Sequence, residues 1–143
     1  MGNFDEILTK LPYSNPFLFV DSLLSVSEDH VEGIYTFSED EYFYKGHFKD
    51  DPITPGVILT ECMAQIGLVC LGIYLHAKDA SEKSVIGMSS CEVDFYIPVL
   101  PGEVVRVYSE KEYFRFNKLK CKVKMFNEKN ELVCKGLISG MMK

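Results

Sequence analysis

The amino-acid sequence predicts an α+β domain in which an antiparallel sheet of about six strands wraps around one long central helix. Residues 56–75 form an apolar run that begins just after Pro55, and a proline suits the first turn of a helix. Six other stretches are rich in β-branched and aromatic residues and are separated by turn residues. The composition, with 47% hydrophobic and 25% charged residues, is that of a globular protein with a packed core.

The first elements are expected to be a short helix and a pair of strands. Asn3 is a suitable N-cap for a helix whose apolar residues share one side, and Pro12 would stop that helix. Residues 17–37 are strand formers interrupted by the polar residues 27–30, which predict a hairpin turn that contains His30.

The long apolar helix is expected to run from Gly56 to about His76. A run of this length is also compatible with a membrane span. However, Glu61 and Gln65 lie inside it, and a carboxylate deep in hydrocarbon costs roughly 2.5–3.5 kcal/mol. Because the strands around it need a core, we expect a buried helix and no membrane span.

Four further strands are expected after the helix, over residues 83–97, 102–114, 118–127 and 131–142. In the third of them, four lysines alternate strictly with apolar residues, so that one face is solvated and the other packs on the core. We call these lysines the lysine stripe: Lys118, Lys120, Lys122 and Lys124. The stripe is interpreted as a solvated strand face or a guarded sheet edge rather than as a docking surface.

Charge and cysteine usage restrict the class of protein. A net charge of -6 gives no general attraction to nucleic acid. The five cysteines stand singly in apolar stretches without metal-ligand spacing, which indicates core residues in a reducing compartment and no metal site. The first residues contain no apolar signal-peptide segment. We therefore expect a cytoplasmic protein whose residues 1–143 form a single domain.

Glu61 is the carboxylate in the middle of the apolar run, and it shares a helix face with Gln65 four residues later. Burial raises the pKa of a carboxyl group, so that such a group can stay protonated near neutral pH and donate a proton. The alternative is a buried carboxylate that is satisfied by hydrogen bonds and has no catalytic role. Both interpretations require the same environment, and the residues alone leave both open.

His47 precedes the helix start by nine residues. The helix N-terminus at Pro55 and Gly56 offers free backbone N–H groups and the positive end of the helix dipole, which together can polarise a carbonyl oxygen. A base, an oxyanion site and an acid are therefore expected around one substrate. His30, in a predicted turn, and His76, at a helix end, lack such neighbours and are assigned no catalytic role.

The stretch GHFKDDPITPGVILTECMAQIG, residues 46–67, resembles the signature of the 3-hydroxyacyl-(acyl carrier protein) dehydratases. LPYSNPFLFVD and DFYIPVLPGEVVRV resemble the other blocks of that family in the same order, so the resemblance covers nearly the whole chain. It implies the hot-dog fold, a curved antiparallel sheet around a long helix. It also implies cofactor-free dehydration of (3R)-3-hydroxyacyl thioesters to trans-2-enoyl thioesters in fatty acid or related lipid or polyene synthesis.

The resemblance implies a role for each residue of the signature. His47 matches the base that removes the proton from C2, Gly56 the glycine whose N–H binds the thioester carbonyl, and Glu61 the acid that protonates the departing 3-hydroxyl. Glutamate at this position, where isomerising members carry aspartate, favours dehydration alone. Substrate contacts are expected from the neighbours of this trio, namely Phe48, Pro55, Val57 and Gln65.

The resemblance also implies partners. The family forms homodimers with active sites shared across the interface, and these can assemble as trimers of dimers. The substrate is carried by an acyl carrier protein. Because a carrier is acidic, this acidic chain must meet it through local positive charge, for which Lys45 and Lys49 on either side of His47 are the candidates.

Three positions depart from the family pattern. Tyr13 replaces a frequent histidine, Lys49 stands where proline is usual, and Tyr96-Ile97 replaces a commonly basic pair. These changes concern the substrate and the carrier contact rather than the trio.

Two other function classes stay open: an acyl thioesterase, in which a helix carboxylate activates water, and a non-catalytic subunit that binds acyl thioesters.

Overall fold

The computed structural model describes residues 4–76 and 86–142. Within these ranges the six strands form one antiparallel sheet in the order β1-β2-β4-β5-β6-β3, with a long helix against it. The predicted α+β arrangement is confirmed. The elements are α1 (Asp5–Thr9), β1 (Ser22–Val26), β2 (His30–Thr36), α2 (Gly56–Leu75), β3 (Ile86–Phe95), β4 (Val104–Arg115), β5 (Lys118–Phe126) and β6 (Leu132–Met142).

Helix α2 forms the core of the domain. Every residue of α2 from 62 to 73 is buried, and its middle contacts strands β2, β4, β5 and β6. By length and composition α2 could cross a membrane, but 78% of its most apolar window is buried inside the domain, as in a core helix. The prediction of a buried helix ending near His76 is confirmed.

The middle of α2 winds as a π-helix over Gln65–Val69, which the sequence did not predict. Here the helix backbone lies very close to the sheet. A Cβ atom on Gly67 would lie 2.9 Å from a methyl group of Val123 and 3.0 Å from Cβ of Ser109. The Ser109 hydroxyl donates a 2.7 Å hydrogen bond to the Gly67 carbonyl. Glycine is therefore required at this point because no side chain fits between helix and sheet.

Strand β5 shows the predicted alternation. The apolar residues that alternate with the lysines are at most 1% exposed and face α2: Leu119, Cys121, Val123 and Met125. The lysine stripe lies on the outer face of the sheet, where Glu112 pairs with Lys120 at 4.0 Å and with Lys122 at 3.6 Å. This placement agrees with a solvated strand face. The alternative of a guarded sheet edge was wrong, because β5 pairs with β4 on one side and with β6 on the other.

One boundary near the N-terminus differs from the prediction. Strand β1 begins at Ser22, not at residue 17, because Phe17 and Phe19 in the preceding segment are bonded to α2. The Phe19 N–H donates to the Gln65 side chain, and the Cys62 thiol donates to the Phe19 carbonyl. The predicted cap Asn3 and residues 83–85 of the first strand after the helix lie outside the described residues.

The placement of His30 in a turn was wrong. His30 begins β2, and its two ring nitrogens are within 2.9 Å of the Ser25 hydroxyl and 2.7 Å of the Ser27 hydroxyl. The ring also stacks on Tyr108 of the neighbouring strand β4. Strand β2 therefore begins one residue earlier than predicted, at His30.

One part of the inner surface is uncovered. Strand β3 is an edge strand, and Cys91 and Phe95 on its inner side are exposed although their cross-strand partners on β6 are buried. The first turns of α2 carry Val57, which is 78% exposed, and the half-buried Glu61. We call this surface, defined by Val57, Glu61, Cys91 and Phe95, the open face.

Candidate active site

His47 lies in a loop that backbone hydrogen bonds close. Its N–H donates to the Phe43 carbonyl at 3.0 Å, and its carbonyl accepts from the Ile53 N–H at 2.8 Å. Inside the loop, Phe48 and Asp51 exchange two hydrogen bonds of 3.1 and 3.0 Å. The imidazole is half-exposed but is held on a fixed main chain.

The environment of the His47 ring selects one tautomer. Its Nδ1 lies 2.9 Å from the Ile53 carbonyl oxygen. A carbonyl oxygen can only accept a hydrogen bond, so Nδ1 carries the hydrogen and, in the neutral ring, Nε2 keeps its lone pair. The ring also stacks on Phe48 with the centroids 4.1 Å apart. The neutral ring therefore presents Nε2 as a base.

The N-terminus of α2 offers two open backbone donors. The N–H groups of Ile58 and Leu59 both donate to the Pro55 carbonyl, at 2.9 and 3.1 Å. The N–H groups of Gly56 and Val57 have no acceptor among the described residues, as is usual in a first turn, and no side chain caps the helix. Glycine suits residue 56 because a Cβ there would lie 3.2 Å from a ring carbon of Phe95.

Glu61 is held by Gln65, as their spacing predicted. The Gln65 amide is fully buried, and its Nε2 donates to Glu61 Oε2 at 3.0 Å and to the Phe17 carbonyl at 3.1 Å. Its Oε1 accepts from the Phe19 N–H at 2.8 Å. Both amide hydrogens are thus in use, and one carboxyl oxygen of Glu61 receives a fixed donor.

The state of the Glu61 carboxyl follows from two opposed effects. Burial raises its pKa, and the hydrogen bond from Gln65 partly lowers it. The net shift is upward, so Glu61 keeps its proton to a higher pH than an ordinary glutamate. A carboxyl group in this state can donate a proton to a leaving hydroxyl group.

The other residues expected to contact substrate fall into two groups. Phe48, which is 55% exposed, stacks on the His47 ring. Val57 carries one of the two open N–H groups of α2, and Pro55 is the N-cap of that helix. Gln65 is fully buried, and its hydrogen bond positions Glu61. The two lysines proposed for carrier docking, Lys45 and Lys49, are exposed on either side of His47.

Not every candidate is brought together within one chain. No hydrogen bond or ion pair in the described ranges joins His47 to Glu61. His30 lies at the outer face with two serines, and His76 closes α2 by donating its N–H to the Gly72 carbonyl. Among the described residues no three His, Cys, Asp or Glu side chains are grouped as a metal site would need.

Two residues of the site were not assigned by the sequence. The half-buried Tyr13 has its pKa raised to about 12, first by burial and next by the charge of Glu61. Phe95 covers the start of α2. The sequence did single out Tyr13 as a departure from the histidine that the resemblance predicts, but the departure was interpreted as a difference in substrate and not as a contact with Glu61. Nothing in the sequence indicated Phe95, since its direction depends on the pairing of β3 with β6.

Comparison with known proteins gives consistent results. The family model described as a FabA-like domain matches residues 11–136. A 3-hydroxyacyl-[acyl-carrier-protein] dehydratase FabZ from Caldicellulosiruptor bescii is 33% identical over 137 residues, which cover 95% of this chain and 95% of that protein. The protein of the same name from Ehrlichia canis is 30% identical over 144 residues, covering 99% and 95%.

Solved structures with this fold include enzymes of two kinds. The dehydratase heterocomplex ApeI:P from Xenorhabdus doucetiae superposes with a TM-score of 0.78 at 17% identity, over 94% of this chain and 90% of that chain. A hypothetical thioesterase with coenzyme A from Streptococcus pneumoniae gives 0.64 at 13% identity, over 85% and 84%. At these identities the similarity concerns the fold alone, and the fold is the hot-dog fold.

The raised pKa of Glu61 predicts a pH-dependent cost in stability. The folded state holds this proton more tightly than the unfolded chain does, so the linked stability is complete below about pH 4.3 and is lost as the pH rises through the folded pKa. Glutamine cannot ionise. We expect Glu61→Gln to melt at a higher temperature than wild type at about pH 8, and at the same temperature at about pH 4.

Thermal unfolding followed by circular dichroism at both pH values checks this expectation. The exposed Glu28→Gln is the matched control, because it removes one negative charge from the surface. An equal gain from Glu61→Gln at both pH values would show that the carboxyl ionises as freely in the fold as in the unfolded chain.

Proposed function

The chain belongs to the FabA-like family, and we propose that it dehydrates (3R)-3-hydroxyacyl thioesters on acyl carrier protein to trans-2-enoyl thioesters in fatty acid or related lipid or polyene synthesis. The observation that carries this proposal is the Glu61 carboxyl, whose pKa burial raises and which is hydrogen-bonded to Gln65 one helical turn away. A hydroxide ion leaves poorly unless an acid protonates it, and Glu61 supplies that acid.

The proposed reaction uses three groups of the protein. The Gly56 N–H binds the thioester carbonyl, which makes the C2 proton acidic and stabilises the enolate-like charge that develops. Nε2 of His47 takes the C2 proton, and Glu61 gives its proton to the 3-hydroxyl, which leaves as water. The enzyme is left with protonated His47 and ionised Glu61, and transfer of one proton through water restores it. No step calls for a metal or organic cofactor.

We also propose that the active enzyme is a homodimer in which His47 of one subunit serves Glu61 of the other. Three observations support it: the unpaired edge of β3, the exposed apolar side chains of the open face, and the lack of any described contact between His47 and Glu61 within one chain. A second copy placed on the open face would cover Val57 and Phe95. Further assembly into trimers of dimers is part of the same proposal.

The proposed setting is the cytoplasm, where the substrate is delivered by an acidic carrier protein. The exposed Lys45 and Lys49 stand beside His47 and supply the local positive charge that the acidic chain needs there. The lysine stripe is less suitable, since Glu112 pairs with two of its members.

The function is tested by turnover. We expect the wild type to convert 3-hydroxyacyl thioesters to enoyl thioesters, seen as enoyl absorbance, and we expect His47→Ala and Glu61→Gln each to lower kcat roughly 10²–10⁴-fold. Near-normal turnover in either variant would remove that residue from the mechanism. Release of free thiol from saturated acyl thioesters would instead indicate a thioesterase, and binding without turnover would indicate a non-catalytic subunit.

Shared active sites predict complementation. The two inactive variants, His47→Ala and Glu61→Gln, are unfolded and refolded together, so that half of the dimers are mixed and each mixed dimer has one intact site of two. About a quarter of wild-type activity should return. If both residues acted within one subunit, every site would lack one of them, and the mixture would stay inactive although size-exclusion chromatography showed dimers.

The carrier contact predicts a loss that depends on the substrate. Lys45→Glu with Lys49→Glu should raise KM for a carrier-bound substrate roughly tenfold, because repulsion replaces attraction, and should leave KM for a pantetheine thioester unchanged. Lys124→Glu with Lys129→Glu, both exposed, changes the net charge by the same amount and is the control. An equal change with both substrates would mean that the lysines affect the site itself and not the carrier.

A further inference from the structure

A pair of buried hydroxyl groups joins the two ends of the His47 loop. Tyr44, 6% exposed, lies in the 3₁₀-helix Tyr42–Lys45 that leads into the loop, and Thr54, 3% exposed, directly follows the loop. Their hydroxyl oxygens are hydrogen-bonded at 2.5 Å. Because each buried hydroxyl has the other as its partner in the described part of the chain, separating them would leave two buried polar groups unsatisfied.

The segments on both sides of this hydroxyl pair are anchored to the rest of the domain. On one side Glu41 is the N-cap of the 3₁₀-helix, and its carboxylate accepts a hydrogen bond from the Tyr35 hydroxyl of β2. On the other side the Thr54 N–H donates to the carbonyl of the fully buried Val99 at 2.9 Å, in the connection between β3 and β4. The hydroxyl pair therefore links two segments that the core already holds.

Thr54 also belongs to the group that orients the His47 ring. The Ile53 carbonyl and the Thr54 N–H are parts of one planar peptide group and can only rotate together. This carbonyl lies 2.9 Å from Nδ1 of His47 and selects the ring tautomer. The next residue is Pro55, the N-cap of α2, which precedes the open N–H of Gly56. A rotation of the Ile53–Thr54 peptide group would therefore move the acceptor on which the tautomer of His47 depends.

We propose that Tyr44 and Thr54 are positioning residues of the active site: their buried hydroxyl pair fixes the Ile53–Thr54 peptide group and, through it, the tautomer of His47. This inference rests on the proposed function only for the role of His47 as the base. The alternative is a hydroxyl pair that contributes to folding stability alone, in which case its loss would lower Tm and leave the His47 ring as it is.

The first test determines the His47 tautomer without substrate, by ¹⁵N NMR of protein with labelled histidine rings in mildly alkaline buffer, where imidazole rings are neutral. The signals are assigned through their loss in His47→Ala. Wild type should show the Nδ1–H form. Tyr44→Phe and Thr54→Val each remove one hydroxyl with little change of shape, and each should add a fraction of the Nε2–H form. Thr54→Ser keeps the hydroxyl and should retain the wild-type tautomer.

Ser139→Ala is the matched control. Ser139 is 1% exposed and forms a 2.6 Å hydroxyl–hydroxyl hydrogen bond with Ser90, between strands β6 and β3. Its loss should lower Tm without changing the His47 tautomer. An unchanged tautomer in either Tyr44→Phe or Thr54→Val overturns the inference, so that one variant decides it if the other fails to fold. An equal change of tautomer in Ser139→Ala would overturn it as well.

Activity separates this inference from the proposed function. Tyr44→Phe and Thr54→Val should lower kcat roughly tenfold and leave KM nearly unchanged, because the base is misplaced while the surfaces that hold the substrate stay intact. Thr54→Ser should keep most of the wild-type kcat. A changed tautomer with a wild-type kcat would refute His47 as the base and leave its positioning by the hydroxyl pair standing. If the wild type dehydrates no 3-hydroxyacyl thioester, the proposed function fails, and the tautomer measurement still decides the inference.

Discussion

The amide of Gln65 is the interaction on which the rest of the site depends. A fully buried amide is costly unless each of its groups finds a partner, and here the partners lie on two separate parts of the chain. Satisfying this amide places the segment before β1 along α2 and orients the Glu61 carboxyl at the same time. Because of this, the packing of the core and the orientation of the Glu61 carboxyl cannot vary independently.

Much of the fold was predictable because local patterns and packing agree. The alternation in β5 and the proline before α2 indicated elements that the structure contains. The predictions failed where a contact with another side chain outweighed the local preference for a strand or a turn. Residues 17–20 have strand-forming side chains, but the backbone groups of Phe17 and Phe19 are bonded to side chains of α2. His30 joins a strand, and two serines and Tyr108 hold its ring.

The candidate site was predictable only as a set of residue types. Spacing placed Glu61 and Gln65 on one helix face, and the resemblance supplied roles for His47 and Gly56. The features that tune these groups depend on contacts between residues remote in sequence or across a loop. The Ile53 carbonyl that selects the His47 tautomer and the Phe95 ring over the helix start are examples. Neither could be obtained without the strand register and the loop path.

The closed loop that carries His47 bears on how this enzyme could diversify. Its hydrogen bonds are made by the backbone of residues 47, 48, 51 and 53, whereas residues 49, 50 and 52 form none of the loop's described bonds. Their side chains can therefore be exchanged during evolution without displacing the His47 imidazole. Lys49, which departs from the proline that the resemblance predicts, is one such position. The side chains at the loop tip can therefore change while the main chain that holds His47 stays in place.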